Sequence, residues 1–184
     1  MRLRANKMTI LETPRLRLEP MTEAHFDGLF AMNRDPDVMR YITGKPDTED
    51  DTWAMIERVM ERWELYGFSW WTFIEKSTGE IIGAGCIQYL GKDPGNPHET
   101  GWRLRKDKWG QGFASEAAQR MAAFAFEELQ VPLLCAVCAP ENKGSSHVME
   151  KLGMHYVGDE TWYEMLCARY QMTRDEWLER RSAA

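Results

Sequence analysis

At 184 residues, with 43% apolar and 28% charged positions, the chain is long enough to bury a real core and reads as one domain spanning 1–184. A formal net charge of −6 with no basic stripe excludes a nucleic-acid binder, and no run of 18 apolar residues offers a membrane span. Four cysteines make no disulfide framework in a chain this size, and no second ligand pair accompanies them, so no metal site is expected.

The N-terminal stretch is basic but lacks the apolar region of a secretion signal, so a soluble, cytoplasmic protein is expected. Residues 1–7 read as an extension without a role in the fold. Arg15–Glu19 alternates as a half-buried strand that Pro20 ends. Thr22 is placed to cap a helix over Glu23–Met32, with Phe26, Leu29 and Phe30 on one face. Asp35–Tyr41 makes one short helical segment. Thr48 opens a longer helix to about Leu65, with acids at 49–51 suiting its dipole and Trp53, Ile56, Met60 and Trp63 as its stripe. Gly67 stops it. Ser69–Glu75 and Glu80–Leu90 are strands joined by the hairpin turn Lys76–Gly79.

A loop rich in turn residues, Gly91–Pro97, leads into a central strand over Thr100–Leu104. A charged turn (Arg105–Lys108), a glycine-punctuated loop (Trp109–Ala114) and a helix (Ser115–Leu129) follow. Ala117, Ala118, Met121, Ala122 and Ala125 are small enough to let that helix lie close on a sheet. Gly110 and Gly112 let the backbone turn sharply and approach a ligand, and the helix start offers unpaired N–H groups and partial positive charge. Together these suit an anion, most often phosphate; the plainer alternative is a strand–turn–helix with glycines for tight packing. A P-loop would close on Lys-Ser or Lys-Thr where Phe113-Ala114 stand, and a dinucleotide fingerprint needs a glycine where Ser115 stands.

Leu133–Cys138 reads as a buried strand. Cys135 and Cys138, three apart, then point to opposite faces roughly 10 Å apart and cannot form a disulfide. Ser145–Leu152 is a helix stopped by Gly153, Met165–Met172 a late strand, and Thr173–Glu176 a capping box opening a last helix. The order of elements predicts a mixed α/β fold, one mostly antiparallel central sheet flanked by helices.

The loop Trp109-Gly110-Gln111-Gly112-Phe113-Ala114 resembles motif A, Q/R-x-x-G-x-G/A, of the GCN5-related N-acetyltransferases (GNAT). Trp109 in the first position, followed by G-x-G-F-A-S-E-A, looks like the RimJ/RimL-type branch. Leu11–Leu18 matches that branch's opening L-x-T-x-R-L-x-L, and Asp37–Tyr41 and Thr78–Gly83 fit its next blocks. Asn142–Ser145 with Val148–Met154 looks like motif B. Five blocks in the right order, spanning nearly the whole chain, carry the resemblance.

The resemblance implies the acyl-CoA N-acyltransferase fold and transfer of acetyl from acetyl-CoA to a primary amine by direct attack in a ternary complex. The central strand and the next one would splay, with amides of Trp102, Arg103 and Leu104 holding pantetheine. Amides of Trp109, Gly110, Gln111, Gly112, Phe113 and Ala114, with Ser115 at the helix start, would hold the pyrophosphate. Lys108 or Lys143 are exposed basic partners or mere solvated charges. Asn142 would bond the cofactor arm, or else serve as a turn or cap.

Glu99 is the candidate base, its pKa raised by burial, against the alternative of a solvated strand end. His98 and water chains are the other candidates. Where relatives carry a tyrosine as general acid this chain has Met149, which cannot donate a proton. Ser145 could serve directly or through water, or be a helix cap. Trp53, Trp63, Trp70 and Trp71 lie in the region that borders the family's acceptor pocket; most should be core.

An α-amine on a peptide or protein N-terminus is favoured over a polyamine, because the acids at 49–51, 57, 61 and 64 sit at helical surface spacing. The alternatives are a small-molecule amine (polyamine, antibiotic or amino acid) and a non-catalytic acyl-CoA-binding module. A homodimer is compatible with all of these.

Overall fold

The computed structural model describes residues 8–184, so the expected extension over residues 1–7 lies outside the described residues. Two units form. One comprises the chain to Cys86 with Trp102–Phe113, the other Ile87–Gly101 with Ala114–Ala184. No helix among the described residues is long and apolar enough to cross a membrane.

The first unit is an antiparallel set of strands with helices inserted. β1 (Leu11–Glu12) pairs with β2 (Leu16–Pro20), β2 with β3 (Trp70–Glu75), and β3 with β4 (Ile81–Tyr89), whose end runs into the second unit. β2 buries Leu16 and Leu18 and half-buries Arg17 and Glu19, the expected alternation. Pro20 belongs to the strand as its last residue, opposite Trp71.

The helix expected over Glu23–Met32 starts as a 3₁₀ turn, Glu23–His25, and continues as α1 (Phe26–Asn33). The Thr22 N–H donates to His25 Nδ1 at 3.1 Å, which ties the first turn to the capping residue. Asp35 caps α2 (Pro36–Met39), accepting from the Asp37 N–H at 2.9 Å. Thr48 and Asp51 cap α3 (Glu49–Tyr66) reciprocally at 2.9 and 3.1 Å, and Gly67 ends it with φ +76°.

The buried stripe of α3 is Thr52, Ile56, Val59 and Trp63, turned from the expected one. Trp53 is 38% exposed and stacks on Phe26 with centroids 4.0 Å apart. The helix presents the small, β-branched Thr52 and Val59 to the core and leaves the large indole at the surface. Trp63 and Trp71 are buried core residues in edge contact, centroids 5.0 Å apart.

β5 (His98–Leu104) also has residues in both units. In the second unit it pairs in parallel with β6 (Leu133–Cys138) at His98↔Leu134 and Glu99↔Cys135. β6 pairs antiparallel with β8 (Met165–Thr173), and β8 with β7 (His155–Trp162). The architecture is thus mixed α/β with mostly antiparallel pairing.

The helix after the glycine loop, α4 (Phe113–Ala123), begins two residues before its expected start and passes into a π-helical turn, Phe124–Glu128. There the Leu129 N–H reaches back five residues to the Phe124 carbonyl at 3.0 Å. The small face of α4 is fully buried, as expected. α5 (Lys143–Leu152) also starts two residues early, because Asn142 and not Ser145 is its cap. Thr173 and Glu176 form the expected capping box on α6 (Arg174–Ser182). All four cysteines are buried free thiols.

Within the first unit, Gly83 on β4 sits where a Cβ would lie 2.7 Å from the Arg103 carbonyl oxygen and 2.6 Å from Leu104 Cδ2. Gly83→Ala is therefore expected to destabilise by roughly 1–3 kcal/mol. A thermal melt indistinguishable from wild type would show that β5 yields without strain.

Candidate active site

In the first unit, the charged turn after β5 is held by its own side chains. Arg105 binds Asp107 at 2.7 Å and Glu80 at 2.9 Å, and Trp109 Nε1 donates to the Leu104 carbonyl at 3.0 Å. The loop that follows places Gly110 at φ +71° and Gly112 at φ +82°, both in the left-handed region that side chains avoid. A Cβ on Gly110 would meet nothing within 4 Å, so the backbone there is open to a ligand.

Arg15 closes on this loop. Its Nη1 donates to the Gln111 carbonyl at 2.9 Å, its guanidinium lies 4.0 Å from the Phe113 ring centroid, and its Nη2 is 3.4 Å from where a Gly112 Cβ would stand. The guanidinium thus lies beside Phe113, the first residue of α4. Sequence reasoning missed Arg15; a separation of 96 residues leaves no local signal. Lys108 is not the exposed basic partner expected. Its Nζ pairs with Glu75 at 2.7 Å, both side chains mostly covered, and this partner holds the Glu75 carboxyl below the ordinary range.

In the second unit, Glu99 is 5% exposed, which overturns the alternative of a solvated strand end. Its Oε2 accepts from Gln88 Nε2 at 3.0 Å and from the Tyr163 hydroxyl. Both donors meet Oε2, and neither meets Oε1. Tyr163 is itself tied down, its oxygen accepting from the Gly91 N–H at 3.0 Å, with Lys92 Nζ 5.7 Å above its ring centroid. Tyr163 and Glu164 turn the β7–β8 hairpin with φ +52° and +61°, the left-handed pair that matches strand twist but usually calls for Asn or Gly. Burial pushes the Glu99 carboxyl above its ordinary range, against the pull of the Tyr163 and Gln88 hydrogen bonds and the Lys92 charge.

His98 is half-buried, its ring 4.8 Å from that of Tyr89, and burial pushes its pKa down, favouring the neutral ring. Asn142 Oδ1 accepts from the Ser145 N–H at 3.2 Å, so the cap reading of Asn142 holds and Ser145 lies inside the first turn of α5. Lys143 is the first residue of that helix, and Met149 is buried core. Of the sequence-predicted residues, Trp102, Arg103, Leu104 and Trp109–Phe113 belong to the first unit. His98, Glu99, Ala114, Ser115, Asn142, Lys143 and Ser145 belong to the second.

The model of the acetyltransferase (GNAT) domain matches residues 15–155. The chain is 35% identical to YkkB of Bacillus subtilis, over 82% of this chain and 88% of that protein. It is 30% identical to the FsC-acetyl coenzyme A-N(2)-transacetylase of Aspergillus fumigatus, over 91% of this chain and 77% of that one. Among solved structures, the acetyltransferase from Agrobacterium tumefaciens superposes with a TM-score of 0.77 at 26% identity, covering 90% of this chain and 95% of that one.

The raised Glu99 pKa has a consequence for stability. A carboxyl that titrates higher folded than unfolded keeps its proton over a window above the ordinary value of 4.5. There the folded state binds more protons, so stability falls as pH rises through the window. Glu99→Gln cannot titrate. Its melting temperature minus that of wild type should grow as pH rises from about 4.5 and then level off. A difference constant from about pH 4 to 8 would mean that Glu99 is not perturbed.

Proposed function

The chain belongs to the GNAT acetyltransferase family, and on that premise we propose that it acetylates a primary amine by direct attack, with Glu99 as base. The observation that carries this reading is the Glu99 carboxylate, buried, pinned through Oε2 and left with Oε1 to receive a proton. An attacking amine must be neutral and must lose a proton as the new bond forms. A carboxylate drawn from water is a stronger base than one in solution. Gln88 and Tyr163 keep its orientation, so no reorganisation is needed when the amine arrives. His98, neutral and half-buried, is the second choice.

Acetyl-CoA, when bound, supplies the activated acetyl thioester. The residues that fit it are the loop Trp109–Ala114 with Arg15, where two left-handed glycines, one guanidinium and a helix start suit a pyrophosphate. Backbone amides of Trp102–Leu104 are assigned to pantetheine. Asn142, its side-chain oxygen engaged by the helix it caps, has its amide N–H groups to offer the cofactor arm. The Ser145 hydroxyl, directly or through water, is the proton source assigned to the departing thiolate, since the buried Met149 has none to give.

The acceptor in this reading is an α-amine on a peptide or protein N-terminus, which the RimJ/RimL-type motif blocks support. A small-molecule amine is the second reading, favoured by the Aspergillus relative, whose own name gives an N(2)-transacetylase. A binding module without turnover would have no use for a buried, oriented carboxylate.

CoA release measured over a panel of amines tests the chemistry. Glu99→Gln should lower kcat by roughly 10²–10⁴ with little change in acetyl-CoA affinity, and the acidic limb of the pH–rate profile should vanish. Tyr163→Phe removes a hydrogen bond that favours the carboxylate, so it should move that limb to higher pH. Full kcat in Glu99→Gln at neutral pH would hand the role to His98 or water.

Gly112→Val tests the loop separately. A β-branched residue is strained at φ +82° and would crowd Arg15, so CoA affinity in titration calorimetry should fall at least tenfold, about 1.4 kcal/mol or more. Unchanged affinity would remove the pyrophosphate assignment.

A further inference from the structure

Arg103 enters the interior of the first unit from β5 and is 8% exposed. A buried guanidinium is costly unless oxygen acceptors replace its lost water. Around Arg103 those oxygens are missing. Nη2 ends 2.9 Å from Met55 Sδ, a weak acceptor, and the guanidinium carbon lies 5.0 Å from the Trp70 ring centroid. Its Nε is buried with no hydrogen-bond partner.

Asp47 is the carboxylate whose charge reaches Arg103, yet no ion pair joins Arg103 to any of the described residues. Asp47 Oδ2 instead accepts from Asn33 Nδ2 at 3.2 Å, and Asn33 Oδ1 is a second buried atom without a partner. Asp47, Met55 and Trp70 are each half-buried, so the group around the guanidinium reaches the surface. What stands there is a planar cation, one face on an indole, with donors lacking an acceptor.

We propose that Arg103 binds a carboxylate carried by the acceptor, so that the substrates are amines bearing an acid group, amino acids or short peptides. For the amine this rests on the acetyl-transfer reading; for the acid it rests on Arg103 alone. A carboxylate matches the guanidinium edge with two parallel hydrogen bonds, and the Trp70 face fixes the plane in which it must lie. Nearby Asp47 disfavours a phosphate dianion. A polyamine brings only further positive charge.

The test sets each member of a panel of amino acids and dipeptides against its C-terminal amide, which keeps the amine and lacks the acid. Wild type should prefer acids in kcat/KM by roughly 10–100-fold, and acids but not amides should raise its melting temperature. Arg103→Met should bring both preferences close to parity. Free of ligand, Arg103→Met should melt no lower than wild type, because an unpaired buried charge has been removed.

Equal treatment of acids and amides by wild type overturns the proposal. So does a preference that survives in Arg103→Met, or a variant that melts well below wild type, which would make Arg103 structural. If no amine is acetylated, the transfer reading fails, while acid-specific stabilisation lost in Arg103→Met still upholds the carboxylate site. If amines are acetylated without regard to the acid, only the carboxylate site fails.

Discussion

The second unit is arranged around one constraint, a carboxyl group held out of water. Glu99 can stay in the interior because two donors from distant parts of the chain meet one of its oxygens. Gln88 comes from the end of β4 and Tyr163 from the β7–β8 turn, itself anchored by the Gly91 N–H. The left-handed turn at Tyr163 and Glu164 follows from this requirement. Two non-glycine residues there cost on the order of 1 kcal/mol or more, and the strain persists where the surroundings over-determine the conformation. The hairpin is bent to bring a phenol to a carboxylate.

The first unit treats buried charge in two contrasting ways. Lys108 and Glu75 are mostly covered and face one another at 2.7 Å, a satisfied pair that fixes the turn after β5. Arg103, a few residues earlier in the chain, has a sulfur and an aromatic face where oxygens belong. Arg15 is a third case, a guanidinium laid over Phe113 with its donors toward a backbone that turns left-handed twice. Where a cation is paired internally it holds the fold. Of the three, Arg103 is the one whose partners are a weak acceptor and an aromatic face.

Local chemistry was the legible part. Thr48 with Asp51, Thr173 with Glu176, and Gly67 and Gly153 set helix ends through contacts three or four residues long. The small face of α4 and the strand Leu133–Cys138 were equally plain, because burial writes its period directly into composition. Asn142 rather than Ser145 took the cap that either could have made, because both are good capping residues three positions apart and propensity alone does not rank them. On α3 the core accepted Thr52 and Val59 and left Trp53 outside, since a tryptophan is apolar enough for the core yet finds a ring to stack on at the surface. The partners of the site were the illegible part. Tyr163 lies 64 residues from Glu99 and Arg15 lies 96 from Gln111, and nothing in the spacing of either announces the contact.

On the proposal that Glu99 is the base, the imbalance between base and acid bears on which amine suits the site. Glu99 is built from three segments, whereas the motif position that could donate a proton holds a buried methionine. A thiol has an ordinary pKa of about 8.5, so a thiolate leaves near neutral pH without much help from an acid. The amine sets the harder requirement. The α-amine of a peptide N-terminus, with a pKa of about 7.7–8.0, is already neutral in useful amounts at that pH, while an alkyl ammonium such as lysine's, at about 10.4, is neutral in roughly one molecule per thousand. A single carboxylate of raised pKa can take the proton that an α-amine sheds during attack, but it is too weak a base to deprotonate an alkyl ammonium beforehand. With Glu99 as the proposed base, the proton chemistry therefore suits the α-amine of a peptide N-terminus better than the amines of a polyamine.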